Sequence, residues 1–249
     1  MYFDNIFSLE GKKILVTGAS SGIGKTIANT LSQQKASVVL SGRDVIKLQD
    51  TMSSLIGNSH HIITADLTKQ EDLQNLSKKI EPLDGVIFCA GIIYYMIAKN
   101  IDMQSFENVM NVNYKCQIAL YQQLHINKKL KKNSSLVFIS SVAALSAVPA
   151  TLAYAASKAS INSSVKILAK ELSKVGIRVN SISPGLIETS LFDASALEKE
   201  SIDMNLGKYP LGLGKAEDVA NTAVFLLSDA SRWITGTNII VDGGYLLND

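Results

Sequence analysis

The feature that most constrains this chain is Thr17-Gly18-Ala19-Ser20-Ser21-Gly22-Ile23-Gly24. It follows an apolar run, Ile14-Leu15-Val16, and opens a segment with apolar residues at Ile23, Ile27, Ala28 and Leu31. A short β-branched run followed by period-3.6 spacing reads as strand, tight turn and helix. Glycines at these positions relieve φ restrictions and side-chain clashes. A helix opening on such a turn aims its free N–H groups at an anion, and the backbone can come close to a pyrophosphate. An ordinary βα turn could carry the same glycines, so the rest of the chain has to support the reading.

Short β-branched runs alternate with helical segments along the whole chain, the pattern of a parallel sheet covered on both faces. Strands are expected near 13–17, 37–41, 60–64, 84–89, 135–140, 177–183 and 238–241. Helices are expected near 22–34, 44–56, 69–79, 102–131, 152–174 and 215–228. Right-handed crossovers then give a doubly wound α/β domain, seven parallel strands in an order such as 3-2-1-4-5-6-7. With 249 residues, 47% of them apolar, and no repeat or linker composition, one Rossmann domain spanning 1–249 is the expectation. The segment 190–208 breaks the alternation and reads as a short helical lid over a substrate.

Tyr154 is followed four residues later by Lys158, and Ser141 stands thirteen residues upstream of Tyr154. Residues four apart share a helix face, so Lys158 is expected one turn beyond the phenol. A free tyrosine titrates near pH ~10. A cation fixed beside it favours the phenolate and brings the proton within reach of general acid–base work.

Taken together, the glycine turn, Asn113, Ser141 and the Tyr154–Lys158 pair resemble the short-chain dehydrogenase/reductase family. The likeness continues through Asp66, Cys89-Ala90-Gly91, Pro184-Gly185 and Val241-Asp242-Gly243-Gly244, from about Leu9 to Tyr245. It implies an enzyme that interconverts a ketone or aldehyde and an alcohol by hydride transfer. Tyr154 would be the acid/base, Ser141 the partner of the developing alkoxide, and Lys158 the holder of the nicotinamide ribose. Asn113 would tie Lys158 to a water chain. By the same resemblance, pyrophosphate would lie against Gly18, Ser20, Ser21, Gly22, Ile23 and Gly24, and Asp66, with Leu67 beside it, would meet the adenine. Asp66 could equally cap the helix near 69–79. Ala90 and Gly91 would pass the ribose, and Pro184, Gly185, Ile187 and Thr189 the nicotinamide. Relatives commonly carry Asn-Asn-Ala-Gly where this chain has Phe88-Cys89-Ala90-Gly91.

The second strand ends in Leu40-Ser41-Gly42-Arg43, with Gly42 where NAD-selective relatives place an acid. Removing that carboxylate and adding a guanidinium favours a 2′-phosphate, so NADP(H) is expected in preference to NAD(H); the alternative is that Arg43 caps a turn or pairs with Asp44. Tyr94, Tyr95, Val148, Leu191 and Phe192 are the candidate substrate contacts. The stretch from Tyr209 to Gly244 is similar to 3-oxoacyl-[acyl-carrier-protein] reductase-like members, which keeps that activity as an alternative. A dinucleotide-binding sensor or scaffold without turnover is the other.

A balance of 24 basic against 22 acidic residues gives a net charge of +2, which argues against nucleic-acid or acidic-membrane partners. Lys128, Lys129, Lys131 and Lys132 form the one basic cluster, expected at a solvated helix end. Cys89 and Cys116 lack metal or disulfide spacing, and His60, His61 and His125 form no ligand pattern. No metal, no signal peptide and a cytoplasmic setting are expected. Family analogy adds a homo-oligomer, dimer or tetramer, built on the helices near 102–131 and 152–174.

Overall fold

The computed structural model describes residues 6–188 and 207–248. Seven parallel strands make one sheet: β1 (Lys13–Thr17), β2 (Ser37–Gly42), β3 (His61–Thr64), β4 (Leu83–Phe88), β5 (Leu130–Ile139), β6 (Arg178–Pro184) and β7 (Asn238–Val241). Their order, β3-β2-β1-β4-β5-β6-β7, is the doubly wound one expected. The helices between them are α1 (Gly22–Gln33), α2 (Val45–Ser53), α3 (Gln70–Lys79), α4 (Met103–Met110), α5 (Cys116–Ile126), α6 (Leu152–Leu172) and α7 (Ala216–Leu227).

Period-2 alternation along the strands divides the apolar residues between two cores. Ile14, Val16, Val38, Leu40, Val137 and Ile182 face α1 and α7, meeting Ile27, Leu31, Val219 and Ala223. Leu15, Val39, Phe88, Leu136, Phe138 and Val179 face the other way, onto Leu120, Leu124, Ile161, Val165 and Leu168 of α5 and α6. Phe88 and Phe138 stack across β4 and β5 with centroids 4.1 Å apart. Both faces of the central strands are therefore dry, as the β-branched runs require.

The expected helix 102–131 is corrected. It runs as α4, then a π turn over Asn111–Lys115, then α5, and it ends at Ile126. Lys128 lies in the following turn, Lys129 just precedes β5, and Lys131 and Lys132 lie within that strand. The strand begins early because Leu130 pairs with Leu83 and the Lys131 ammonium reaches the Asp84 carboxylate at 2.8 Å. The lysine run is thus not a helix end. Thr189 and the segment 190–206, including Leu191 and Phe192, lie outside the described residues.

Candidate active site

The carboxyl ends of β1, β2, β3, β4, β5 and β6 open on one cleft of about 400 Å³. It runs along the carboxyl edge of the sheet, across the point where the order turns from β1 to β4. Open α/β sheets bind ligands there, because loops from the two halves diverge.

At one end, the turn after β1 is a close-packed cradle. Gly18 has φ +67°, and a Cβ there would lie 2.9 Å from the Ala90 backbone. A Cβ on Gly24 would lie 2.2 Å from the Gly18 carbonyl oxygen, so α1 starts directly against the turn. Cys89 and Ala90 donate their N–H groups to Thr17 Oγ1, and Ala90 O accepts from Gln117 Nε2 at 2.7 Å. These side chains, with Asn113, give the Cys89–Ile92 backbone its polar support.

Gly42 and Arg43 end β2 at the cleft, and Arg43 is exposed. The Asp44 carboxylate accepts from Lys47 N–H, capping α2. Among the described residues Arg43 makes no ion pair, while its charge acts on Asp66. Burial pulls the Asp66 carboxyl up, but the Thr68 hydrogen bonds outweigh it and hold the group below its usual value, helped by Arg43 and Lys69. Asp66 does not cap α3: Lys69 is the residue before that helix, and Asp66 Oδ1 accepts from Thr68 N and Oγ1. Ser41 is buried beside this end, with no hydrogen-bond partner for its hydroxyl among the described residues. A glycine cradle, an unpartnered hydroxyl and an exposed guanidinium suit a dinucleotide with its pyrophosphate on the turn.

At the other end, β5 leads into Ser140 and Ser141, and β6 into Pro184, Gly185 and Ile187. Ser140 Oγ donates to the Lys158 carbonyl, so it anchors α6. Ser141 instead faces the cleft, within hydrogen-bonding reach of the Tyr154 phenol. Lys158 Nζ lies 5.6 Å from the centroid of the Tyr154 ring and donates to Ile139 O at 2.7 Å. Asn113 does not line the cleft; it stands behind Gly91, fully buried. Its amide accepts from Ile92 N and donates to Ile92 O and to Ser157 Oγ, which in turn donates to Tyr154 O.

The expected depression of the Tyr154 pKa is corrected. Burial pushes the phenol up to about 12, against a lowering by the Ser141 hydrogen bond. Lys158 itself comes down to about 8, because burial disfavours its charge. The Cys89 and Cys116 thiols are both pushed up to about 11, chiefly by burial, which keeps them neutral.

Every glycine-turn residue predicted for the cofactor lines the cleft, as do Arg43, Asp66, Leu67, Ala90, Gly91, Pro184, Gly185 and Ile187. Tyr95 and Val148 line it too. Tyr94 does not: it is 46% exposed and its hydroxyl accepts from Asn108 Nδ2. Sequence reasoning missed Ser41 and Tyr209. Ser41 carries no motif, and Tyr209 stands twenty-two residues after Ile187 in the chain, outside any motif that points to the cleft. The loops holding Tyr95 and Val148 are joined by Met96 N–H donating to Ala150 O, with Ala150 at φ 62°.

A family model described as enoyl-(acyl carrier protein) reductase matches residues 18–246. The 3-oxoacyl-[acyl-carrier-protein] reductase FabG of Rickettsia felis is 33% identical over 243 residues, covering 97% of this chain and all of that protein. An NAD-dependent glycerol dehydrogenase of Listeria innocua is 34% identical over 251 residues, covering 98% of each. A short-chain type dehydrogenase/reductase from Mycobacterium ulcerans superposes with a TM-score of 0.90 at 32% identity, covering 96% of this chain and 91% of that one.

Proposed function

The chain belongs to the short-chain dehydrogenase/reductase family, and on that premise we propose that it interconverts a ketone or aldehyde and the matching alcohol, with NADP(H) preferred over NAD(H). The observation that carries the reading is the meeting of the Ser141 hydroxyl and the Tyr154 phenol beside Lys158, facing Pro184–Ile187 across one cleft.

A bound nicotinamide supplies the hydride. In reduction the carbonyl oxygen gains negative charge, which the Ser141 hydroxyl stabilises by hydrogen bonding. Tyr154, holding its proton through neutral pH, donates it to that oxygen. An alkoxide is a stronger base than a phenolate, so the raised pKa does not stop the transfer. Lys158, fixed by Ile139 O, would hold the nicotinamide ribose, and Asn113 keeps in place the Gly91–Ile92 backbone that would pass it. The NADP(H) preference rests on Arg43 at the end of β2, without a carboxylate at Gly42.

Turnover of a carbonyl and alcohol panel with both cofactors tests the reading. Tyr154→Phe should bind the reduced dinucleotide almost as well as wild type and turn over at least ~10²-fold more slowly. Wild-type turnover in that variant would overturn the mechanism.

A second reading, reduction of 3-oxoacyl groups on acyl carrier protein, is favoured by the likeness to the Rickettsia felis enzyme. An acetoacetyl thioester on carrier protein, reduced far faster than small ketones, would select it. A homo-oligomer fits the exposed Met103, Ile126, Leu152 and Ile167 on α4, α5 and α6. Both cysteines are free thiols, which suits a reducing cytoplasm.

A further inference from the structure

We propose that Tyr209 is a positioning residue: it fixes the Gly185–Ile187 turn and, through it, the hydride-carrying end of the dinucleotide. The inference rests on the oxidoreductase reading above. Tyr209 is 8% exposed and lines the cleft. Its phenol oxygen accepts from the Leu186 N–H at 3.1 Å. The Leu186 carbonyl faces the other way and accepts from Gly214 N–H, also at 3.1 Å. The turn is therefore held from two sides, by backbone on one and by a single side-chain oxygen on the other.

The ring does as much as the oxygen. A Cβ on Gly185 would lie 3.0 Å from Tyr209 Cε1 and 3.0 Å from Asp242 Cα, so ring and turn are in direct contact. Behind it, Tyr209 stacks on Tyr245 with centroids 4.9 Å apart and planes 24° apart. Tyr245 sits in a turn held by Asp242, whose carboxylate accepts from Gly244 N and Leu246 N. A rigid path thus runs from the chain end through two stacked rings to the residues after β6.

β6 lies beside β5, and Ser140 N–H donates to Ile182 O at 2.7 Å. A shift of Leu186 therefore changes the distance between the nicotinamide side of the cleft and Ser141 with Tyr154. The adenosine end, built on β1, β2 and the residues after β3, is left alone. This locality separates a positioning role from a general structural one.

Tyr209→Phe keeps both ring contacts and leaves the Leu186 N–H without an acceptor. Turnover should fall about tenfold, the size expected for one buried donor left unpaired. The kinetic isotope effect with 4-deuterated NADPH should rise, because hydride transfer becomes the slower step. In equilibrium titrations NADPH should bind more weakly while 2′,5′-ADP, which lacks the nicotinamide half, binds as to wild type. Tyr209→Leu, which removes the ring as well, should lose more. Unchanged turnover and isotope effect in Tyr209→Phe overturn the proposal, as does an equal loss for NADPH and 2′,5′-ADP. If wild type turns over no carbonyl, the oxidoreductase reading fails, and the two titrations still decide the role of Tyr209.

Discussion

Burial and a single carbonyl act on the same proton at Lys158: the pocket disfavours the charge while Ile139 O accepts from it. Burial, against a smaller raising by Cys89, brings the group down from 10.5 to about 8. Between these values the unfolded chain binds a proton that the folded one has released, so Lys158 makes stability rise as pH rises through that window. Cys89, Cys116, Tyr154 and Tyr209, all pushed up, act with the opposite sign above pH ~9. Urea denaturation of wild type against Lys158→Met isolates the lysine, and the gap in favour of wild type should widen from pH ~8 to ~10. A gap independent of pH would contradict the lowered pKa. Cofactor choice also belongs to this scale. A Cβ on Gly42 would meet Leu48 and Ser20 Oγ at no less than 3.5 Å, so the site accepts a side chain. Gly42→Asp should move preference toward NADH, and Arg43→Ala should raise the KM for NADPH far more than for NADH. Equal effects on both cofactors would remove Arg43 from the 2′-phosphate.

The α4–α5 element is straight in its periodicity but not in its hydrogen bonds. One wide turn, Asn111–Lys115, interrupts it, and Asn113 sits inside that turn. Such bulges turn a side chain away from the regular ladder. Here Asn113 is aimed at the Ile92 backbone and Ser157. Asn113→Ala would leave the Ile92 N–H and C=O without partners, at a cost of about 2 kcal/mol. Urea denaturation measures it, and a loss below ~0.5 kcal/mol, the range of a surface change, would contradict this account. A π turn adds one residue and so offsets the apolar face, but in the mixed stretch 116–126, with Gln117, Gln122 and Gln123 among apolar residues, that offset does not stand out. That is why the sequence reads as one helix from 102 to 131. Likewise β5 starts five residues early through its pairing with Leu83 and the Lys131–Asp84 contact, which the polar lead Lys131-Lys132-Asn133 does not announce.

On the scale of the whole molecule, two dry cores hold the sheet, and the cleft crosses it where the loops of its two halves part. A ligand there touches β1, β2, β4, β5 and β6 termini at once, so its binding energy should appear as global stability. Reduced cofactor at one hundred times its Kd should add about 2.7 kcal/mol, read as a rise in Tm, and NADPH should raise Tm more than NADH at equal concentration. No rise with either would contradict dinucleotide binding. Strand order, the glycine turn and the Ser141, Tyr154, Lys158 spacing were all legible in the residues alone. Each depends on backbone periodicity, which is local: two residues per strand repeat, four along a helix face, and one turn that only glycine fits. What tertiary structure decided is non-local. Desolvation raised Tyr154 instead of lowering it, Thr17 and Gln117 met the Cys89–Ala90 backbone from other elements, and Tyr209 found Leu186 across twenty-three residues. Period travels along the chain, whereas burial and unpaired donors depend on which segments meet in space.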